Sequence, residues 1–385
     1  MRRLWRGLPL LVLAATAWPA AQTLRAWLSP PANVYRLDYT LYYATALHGL
    51  KNGWHHLYDL SLQREIVRSI SPEVWWFPLV FTPAMAVFMV PFTSLPLDQG
   101  YRIWSAILCA SWFGCAIALA PGRPLGKAAH LALSLVPYAV ALGLGLGQVV
   151  ALQMGFLAGA YLLLRQGRDA LAGACLLAIA LKPQCMLLVP FTVLAAGRPR
   201  AFASFAFAGA LVAAALFWLV GIDGAHAYLQ LIRYAHAHPA EFWVGWAYAM
   251  PQHFSSDAGR MLAQVAVVSL ALLAAYRHGN VEMAIVAGLL GSLLVTPFIH
   301  LEDLMLLFPA AWLTLRRASW AAIPLAGCYV LLLLCTHDGT PIWGRWVLLF
   351  ECVWLAALAV LPARWLRMER SAAPPGAVPI FPARP

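Results

Sequence analysis

Charge is scarce in this chain. Asp, Glu, Lys and Arg make up 11% of its 385 residues, while 62% are hydrophobic; a soluble domain carries about 25% charged residues. With apolar runs recurring from end to end, that shortage excludes a soluble globular enzyme. It predicts an all-α polytopic membrane protein. Metal-ligand spacing is missing as well. The seven cysteines (Cys109, Cys115, Cys175, Cys185, Cys328, Cys335 and Cys352) all lie in apolar segments without a CxxC pair, so they read as small core residues. The stretch Gly143-Leu144-Gly145-Leu146-Gly147-Gln148 sits at the end of an apolar span and not between a strand and a helix, the context a phosphate loop needs, which excludes a nucleotide site. Glycines spaced this way let helices approach closely. The net charge of +11 has no soluble basic face behind it. The basic residues sit in short clusters between apolar spans, so nucleic acid is excluded as a partner. The two halves share no similarity, unlike those of most secondary transporters.

What is present is a regular alternation of apolar spans and basic loops. The N-terminus resembles a secretory signal, but small residues at both −3 and −1 are wanting around Ala17-Trp18-Pro19-Ala20-Ala21. The expectation is an uncleaved first span, about Leu8 to Leu24, with a cytoplasmic N-terminus. Later spans are expected at about Tyr101–Ala120, Ala128–Leu146, Val149–Leu164, Ala170–Leu181, Cys185–Ala196, Ala201–Val220, Met261–Tyr276, Val281–Pro297, Leu304–Leu315, Trp320–Cys335 and Trp346–Leu361. That makes about twelve transmembrane or partly spanning helices. The loops then placed inside hold Arg123, Lys127, Arg165, Arg168, Arg198, Arg200, Arg277, Arg316 and Arg317, a positive-inside pattern. The run Phe77 to Leu95 is broken by Pro78, Pro83 and Pro91. If it crossed, every one of those loops would flip, so it is expected to be interfacial or re-entrant. Residues 1–366 thus form one transmembrane domain, with outer loops at 29–100 and 221–260. Residues 367–385 form a Pro-rich cytoplasmic tail, expected to be disordered. Most acids, including Asp38, Asp59, Glu302 and Asp303, fall on the outer side, and with them the working polar chemistry.

The chain is organised around Arg36 to Lys51. Asp38 opens an amphipathic helix there, with Tyr39, Tyr43, Ala46, Leu47 and Leu50 on one face and Thr40, His48 and Lys51 on the other. Such a helix can lie flat on a bilayer. Asp38 is a candidate catalytic base; alternatively it caps the helix, although Leu41 three residues on makes no capping box. Ala170–Leu181 and Cys185–Ala196 are too short to cross alone. Lys182 therefore falls at the tip of a hairpin sunk below the outer surface, where a lysine needs an anion or a wet cavity; the alternative is a stem snorkelling to the headgroups. Thr296 to Asp303 gathers His300, Glu302 and Asp303 at a membrane edge, which reads as either a site or an ordinary polar turn. The outer segment Gly221 to Arg260 adds Arg233, Trp243 and Trp246, with no metal spacing. Arg233 is a further candidate for a lipid phosphate. His48, Gln148 and Gln184 stand as candidate substrate contacts with Glu302 and Asp303.

Taken together, several pieces resemble the membrane glycosyltransferases of family 87, in the GT-C superfamily. They are an Asp just past the first span with Tyr58-Asp59 after it, and a Pro-broken outer run leading to Trp104. Gly147-Gln148, Lys182-Pro183-Gln184 and Thr296–Asp303 follow in order. The resemblance implies a GT-C-like fold. It also implies a polyprenyl-phosphate donor of a hexose such as mannose, a glycan or glycolipid acceptor, and inverting transfer on the periplasmic side of a bacterial inner membrane. On it, Asp38 matches the catalytic aspartate, and Lys182 and His300 match positions near the donor phosphate. The acidic pairs that hold metal in oligosaccharyltransferase-like relatives are missing. Asp38 has Arg36 and Thr40 two residues away, so there is no DxD, and neither metal nor other cofactor is expected. A multi-span transporter or flippase of lipid-linked or small polar substrates is the alternative, and a polymerase or ligase of lipid-linked glycans would share the same substrates.

Overall fold

The computed structural model describes residues 2–28, 37–72, 76, 78–238, 249–297, 299–335 and 341–362. Among these, all regular structure is helical. Helix α1 (Arg2–Leu28) covers the expected first span. The first outer segment folds as α2 (Leu37–Asn52), a 3-10 turn at Trp54–His56, α3 (Leu60–Ile70) and α4 (Pro83–Met89). Then come α5 (Leu97–Leu119), α6 (Pro124–Ser134), α7 (Tyr138–Leu146), α8 (Val150–Arg165) and α9 (Asp169–Cys175). After them lie α10 (Val189–Ala195), α11 (Pro199–Ala237), α12 (Asp257–His278) and α13 (Val281–Val295). The last three are α14 (Leu307–Arg317), α15 (Ala322–Leu334) and α16 (Pro341–Val360). The tail 367–385 and the pair Trp243 and Trp246 lie outside the described residues.

Four helices are long and apolar enough to cross a membrane by length and composition: α5, α11, α12 and α16. The bent pair α6–α7 makes a fifth if taken as one span. Their outer surface is greasy. On α11, Phe207 is 70% and Trp218 84% exposed, a surface suited to lipid rather than water. About twelve crossings are expected from sequence, but the other helices are shorter or broken, and the breaks have local causes. Between α6 and α7 the chain turns by 79°: Pro137 has no N–H to continue a helix and disfavours helical backbone at Val136. Within α11 the break is at Gly221 (φ 69°, ψ −179°), backbone that is essentially glycine-only. The expected span end at Val220 falls on this break.

The Pro-broken run does not make a spanning helix. Thr82 caps α4 through Met85 N, and a 3-10 turn at Val90–Ser94 ends the segment. Met85, Ala86 and Met89 are buried where α4 packs on α2. This changes the picture of α2. An amphipathic helix lying on a bilayer keeps one face wet, whereas α2 is buried on both: Thr40 and His48 are as hidden as Tyr39 and Ala46. Helices α3 and α4 and the 3-10 turns at Trp54–His56 and Val90–Ser94 fold back over it, and α5 and α7 also touch it. Two of its polar side chains bond to backbone nearby: His48 Nε2 bonds His56 O at 2.8 Å, and Thr45 Oγ1 donates to Leu41 O at 2.7 Å.

Helix α13 is buried along its length and links two polar clusters. At its start, Glu282 accepts from Arg165 (2.6 Å), Arg317 (2.5 Å) and Tyr161 (3.2 Å). Arg165 and Arg317 are among those expected from sequence to face inside. The segment after its other end carries His300, Glu302 and Asp303.

Candidate active site

Four chain segments deliver the cluster. Asp38 lies in the first turn of α2, and Tyr42 follows one turn later on the same face. Gln148 is delivered by the end of α7, where Gly147 (φ 80°) takes the left-handed conformation and Gln148 N donates to Gly143 O at 2.8 Å. This is a Schellman-type stop, which favours glycine. A Cβ on Gly147 would meet Tyr39 Cβ at 3.0 Å and Trp104 at 3.3 Å. The Trp104 indole N–H also holds the Gly147 carbonyl at 2.8 Å. Lys182 sits between 3-10 turns at Leu176–Leu181 and Pro183–Cys185, as the short-hairpin reading requires. Glu302 and Asp303 start the 3-10 turn Leu301–Leu306, which runs into α14.

The side chains form one network. Gln148 Oε1 accepts from Tyr42 OH (3.0 Å) and from Lys182 Nζ (3.2 Å), while Gln148 Nε2 donates to Glu302 Oε1 (3.0 Å). Lys182 Nζ also donates to Asp303 Oδ1 at 2.6 Å. On the other oxygen, Asp303 Oδ2 accepts from His300 N at 3.0 Å and lies 3.8 Å from His300 Nδ1. Asp303 is fully buried, and its carboxyl is held well below the usual range: burial opposes ionisation, but Lys182 and His300 outweigh it.

Asp38 behaves differently. It is buried, and its Oδ2 has no hydrogen-bond partner among the described residues. A capping carboxylate would accept the amides of its own first turn. Asp59 does so for α3, accepting from Ser61 N at 2.9 Å and Leu62 N at 3.2 Å. Burial first, and then Glu302, push the Asp38 carboxyl up to about 7, against the pull of Lys182 and His300. His300 moves the other way. Burial would lower it, but Asp303 and Glu302 raise it to about 9. Near neutral pH the cluster therefore offers a carboxyl balanced between its two forms, within electrostatic reach of two cations.

The structure thus brings together Asp38, Gln148, Lys182, His300, Glu302 and Asp303. It does not bring in His48, whose Nε2 bonds His56 O at 2.8 Å and whose Nδ1 bonds Asn52 at 2.8 Å. Both ring nitrogens are used in closing the end of α2. Arg233 is exposed on the second half of α11, and Gln184 is half-buried without a hydrogen bond among the described residues. Among the described residues, no three His, Cys, Asp or Glu are grouped as metal ligands. Tyr42 is absent from the candidates chosen on sequence, although its place four residues after Asp38 put it on the same helix face. Thr82 and Gln153, which bind the backbone around Lys182, had no such signal.

Comparison with curated proteins and with solved structures finds no match. The profile of glycosyltransferase family 87 does match, over residues 79–297. That span covers more than half of the chain and includes Gln148 and Lys182, while Asp38 and the His300–Asp303 turn flank it. The chain therefore belongs to glycosyltransferase family 87.

Proposed function

We propose that this glycosyltransferase moves a hexose from a polyprenyl-phosphate donor to an acceptor hydroxyl on the periplasmic face of a bacterial inner membrane. Inversion follows from a single displacement. The acceptor oxygen attacks the anomeric carbon, the bond from that carbon to the phosphate oxygen breaks, and Asp38 takes the hydroxyl proton. The observation that carries this reading is the buried, unpartnered Asp38 Oδ2 in a cluster that also holds two cations. A general base works best with a pKa near the working pH, and Asp38 stands at about 7. Charge gathers on the leaving phosphate as the bond breaks, and preset cations stabilise it there. Lys182 and His300 supply them. Glu302, tied to Gln148, is placed to accept hydrogen bonds from sugar hydroxyls.

The grouping of sequence-assigned outer residues at one polar cluster and inner residues at the other supports a periplasmic site. A reporter fused after Gly126 is expected in the cytoplasm; a periplasmic signal there would reverse the assignment. For the chemistry, transfer of labelled hexose from a polyprenyl-phosphate donor is measured in membranes carrying wild-type or Asp38→Asn protein. General-base catalysis contributes about 10²–10⁴-fold, and a loss of that size is expected with insertion intact. Full activity in Asp38→Asn removes the mechanism.

A further inference from the structure

The segment carrying Lys182 is broken backbone inside a buried region, and such backbone must have its carbonyls satisfied by other groups. Two side chains meet that need. Gln153, on α8, donates its amide to Ala178 O at 3.0 Å and to Lys182 O at 3.1 Å. Thr82, just before α4, donates to Ala180 O at 2.7 Å. Gln153 is fully buried, and its own Oε1 is left without a partner among the described residues. The orientation of the amide follows from the neighbours: turned over, it would point its oxygen at two carbonyls and lose both bonds. A buried acceptor left unpaired carries a desolvation cost. A residue chosen for packing alone would not carry that cost.

We infer that Gln153 is a positioning residue for donor binding: it clamps the carbonyl of Ala178, before the break, and that of Lys182, at the break, so that Lys182 Nζ is held toward Gln148 and Asp303. The inference rests on the donor reading above, in which Lys182 meets the phosphate. Gln153 touches neither donor nor acceptor in this arrangement and acts through the lysine. Without the clamp, the Lys182 backbone is free to relax, and the ammonium loses its fixed place.

The test is binding of undecaprenyl phosphate to the full-length protein in detergent, by native mass spectrometry, for wild type, Gln153→Met, Lys182→Met and the double variant. Met matches Gln in length and volume but has no donor. Gln153→Glu, which loses the amide donor while staying polar, is the second variant should Gln153→Met not fold. The expected result is affinity at least tenfold weaker for Gln153→Met, measured well below its melting temperature, which should fall by several degrees because two buried carbonyls lose their donor. The double variant should bind no more weakly than Lys182→Met alone, because both changes remove the same contact. Wild-type affinity in folded Gln153→Met and Gln153→Glu, or losses that add in the double variant, would overturn the inference and leave the donor reading standing. Failure of the wild-type protein to bind the lipid phosphate removes the donor reading, and the inference with it.

Discussion

Lys182 Nζ lies 2.6 Å from Asp303 Oδ1, across 121 residues of chain, with both side chains buried. This pair closes the gap between the broken hairpin and the turn after α13. Removing one member of a buried ion pair leaves a charge without compensation, at a cost of about 3–5 kcal/mol. Lys182→Met and Asp303→Asn are each expected to destabilise by that order, and the double variant by clearly less than their sum. Unfolding in detergent, followed by tryptophan fluorescence, measures all four corners of the cycle. Strict additivity would mean that the pair is not coupled.

Asp38→Asn should be stable where it is inactive. The folded carboxyl ionises at about 7, above its ordinary value of 3.8. The wild-type fold therefore favours the protonated acid, and stability from that group is lost as pH rises through about 7. At pH 8 the neutral amide avoids the buried charge. Its melting temperature is expected to equal or exceed that of wild type there, and the advantage should shrink toward pH 5. A variant several degrees less stable than wild type at pH 8 would recast Asp38 as a structural residue.

The rate should trace a bell in pH. Asp38 accepts a proton only when ionised, which sets the acid limb at about 7, and His300 keeps its charge up to about 9. Plots of kcat/KM against pH are expected to rise through the first value and fall through the second. His300→Gln should flatten the alkaline fall and move the acid limb upward, because the His300 charge helps hold the Asp38 carboxyl down. An unchanged alkaline limb in that variant would assign the fall to another group.

The Glu282 cluster serves as a control. Its carboxylate is held by Arg165 and Arg317, at the opposite end of α13 from His300. Glu282→Gln is expected to lower stability by about 1–3 kcal/mol, the range for a buried group that loses its partners. Donor KM should stay within twofold. A selective rise in donor KM would instead link the two ends of the helix.

How much of this could be read from sequence depends on the kind of residue. Lys182 and the His300–Asp303 turn stand out because an ionisable group in an apolar run needs a reason to be there. Asp38 stands out as a lone acid just past the first span. Tyr42 and Gln153 do not: one tyrosine in a Tyr-rich helix, or a glutamine within a span, resembles packing until its partner is seen. The burial of α2 was hidden for another reason. Its two-sided pattern is visible, but α3, α4 and the 3-10 turns around them cover it through tertiary contacts. Hydropathy likewise marks apolar runs and says little about whether a run stands straight, so the bend at Pro137 was not legible as geometry.

The length of α13 carries one more consequence. Its 15 residues, at 1.5 Å each, rise only about 22 Å, less than the roughly 30 Å hydrocarbon core of a bilayer. One end is pinned by two arginines and the other opens onto the acid–base cluster. On the proposed donor reading, a lipid phosphate reaching Lys182 would leave the headgroup plane and come down into the protein, or the outer leaflet would dip to meet it. Chemistry would then take place below the waterline of the surrounding lipid, where the departing phosphate has few counter-charges other than those the chain provides.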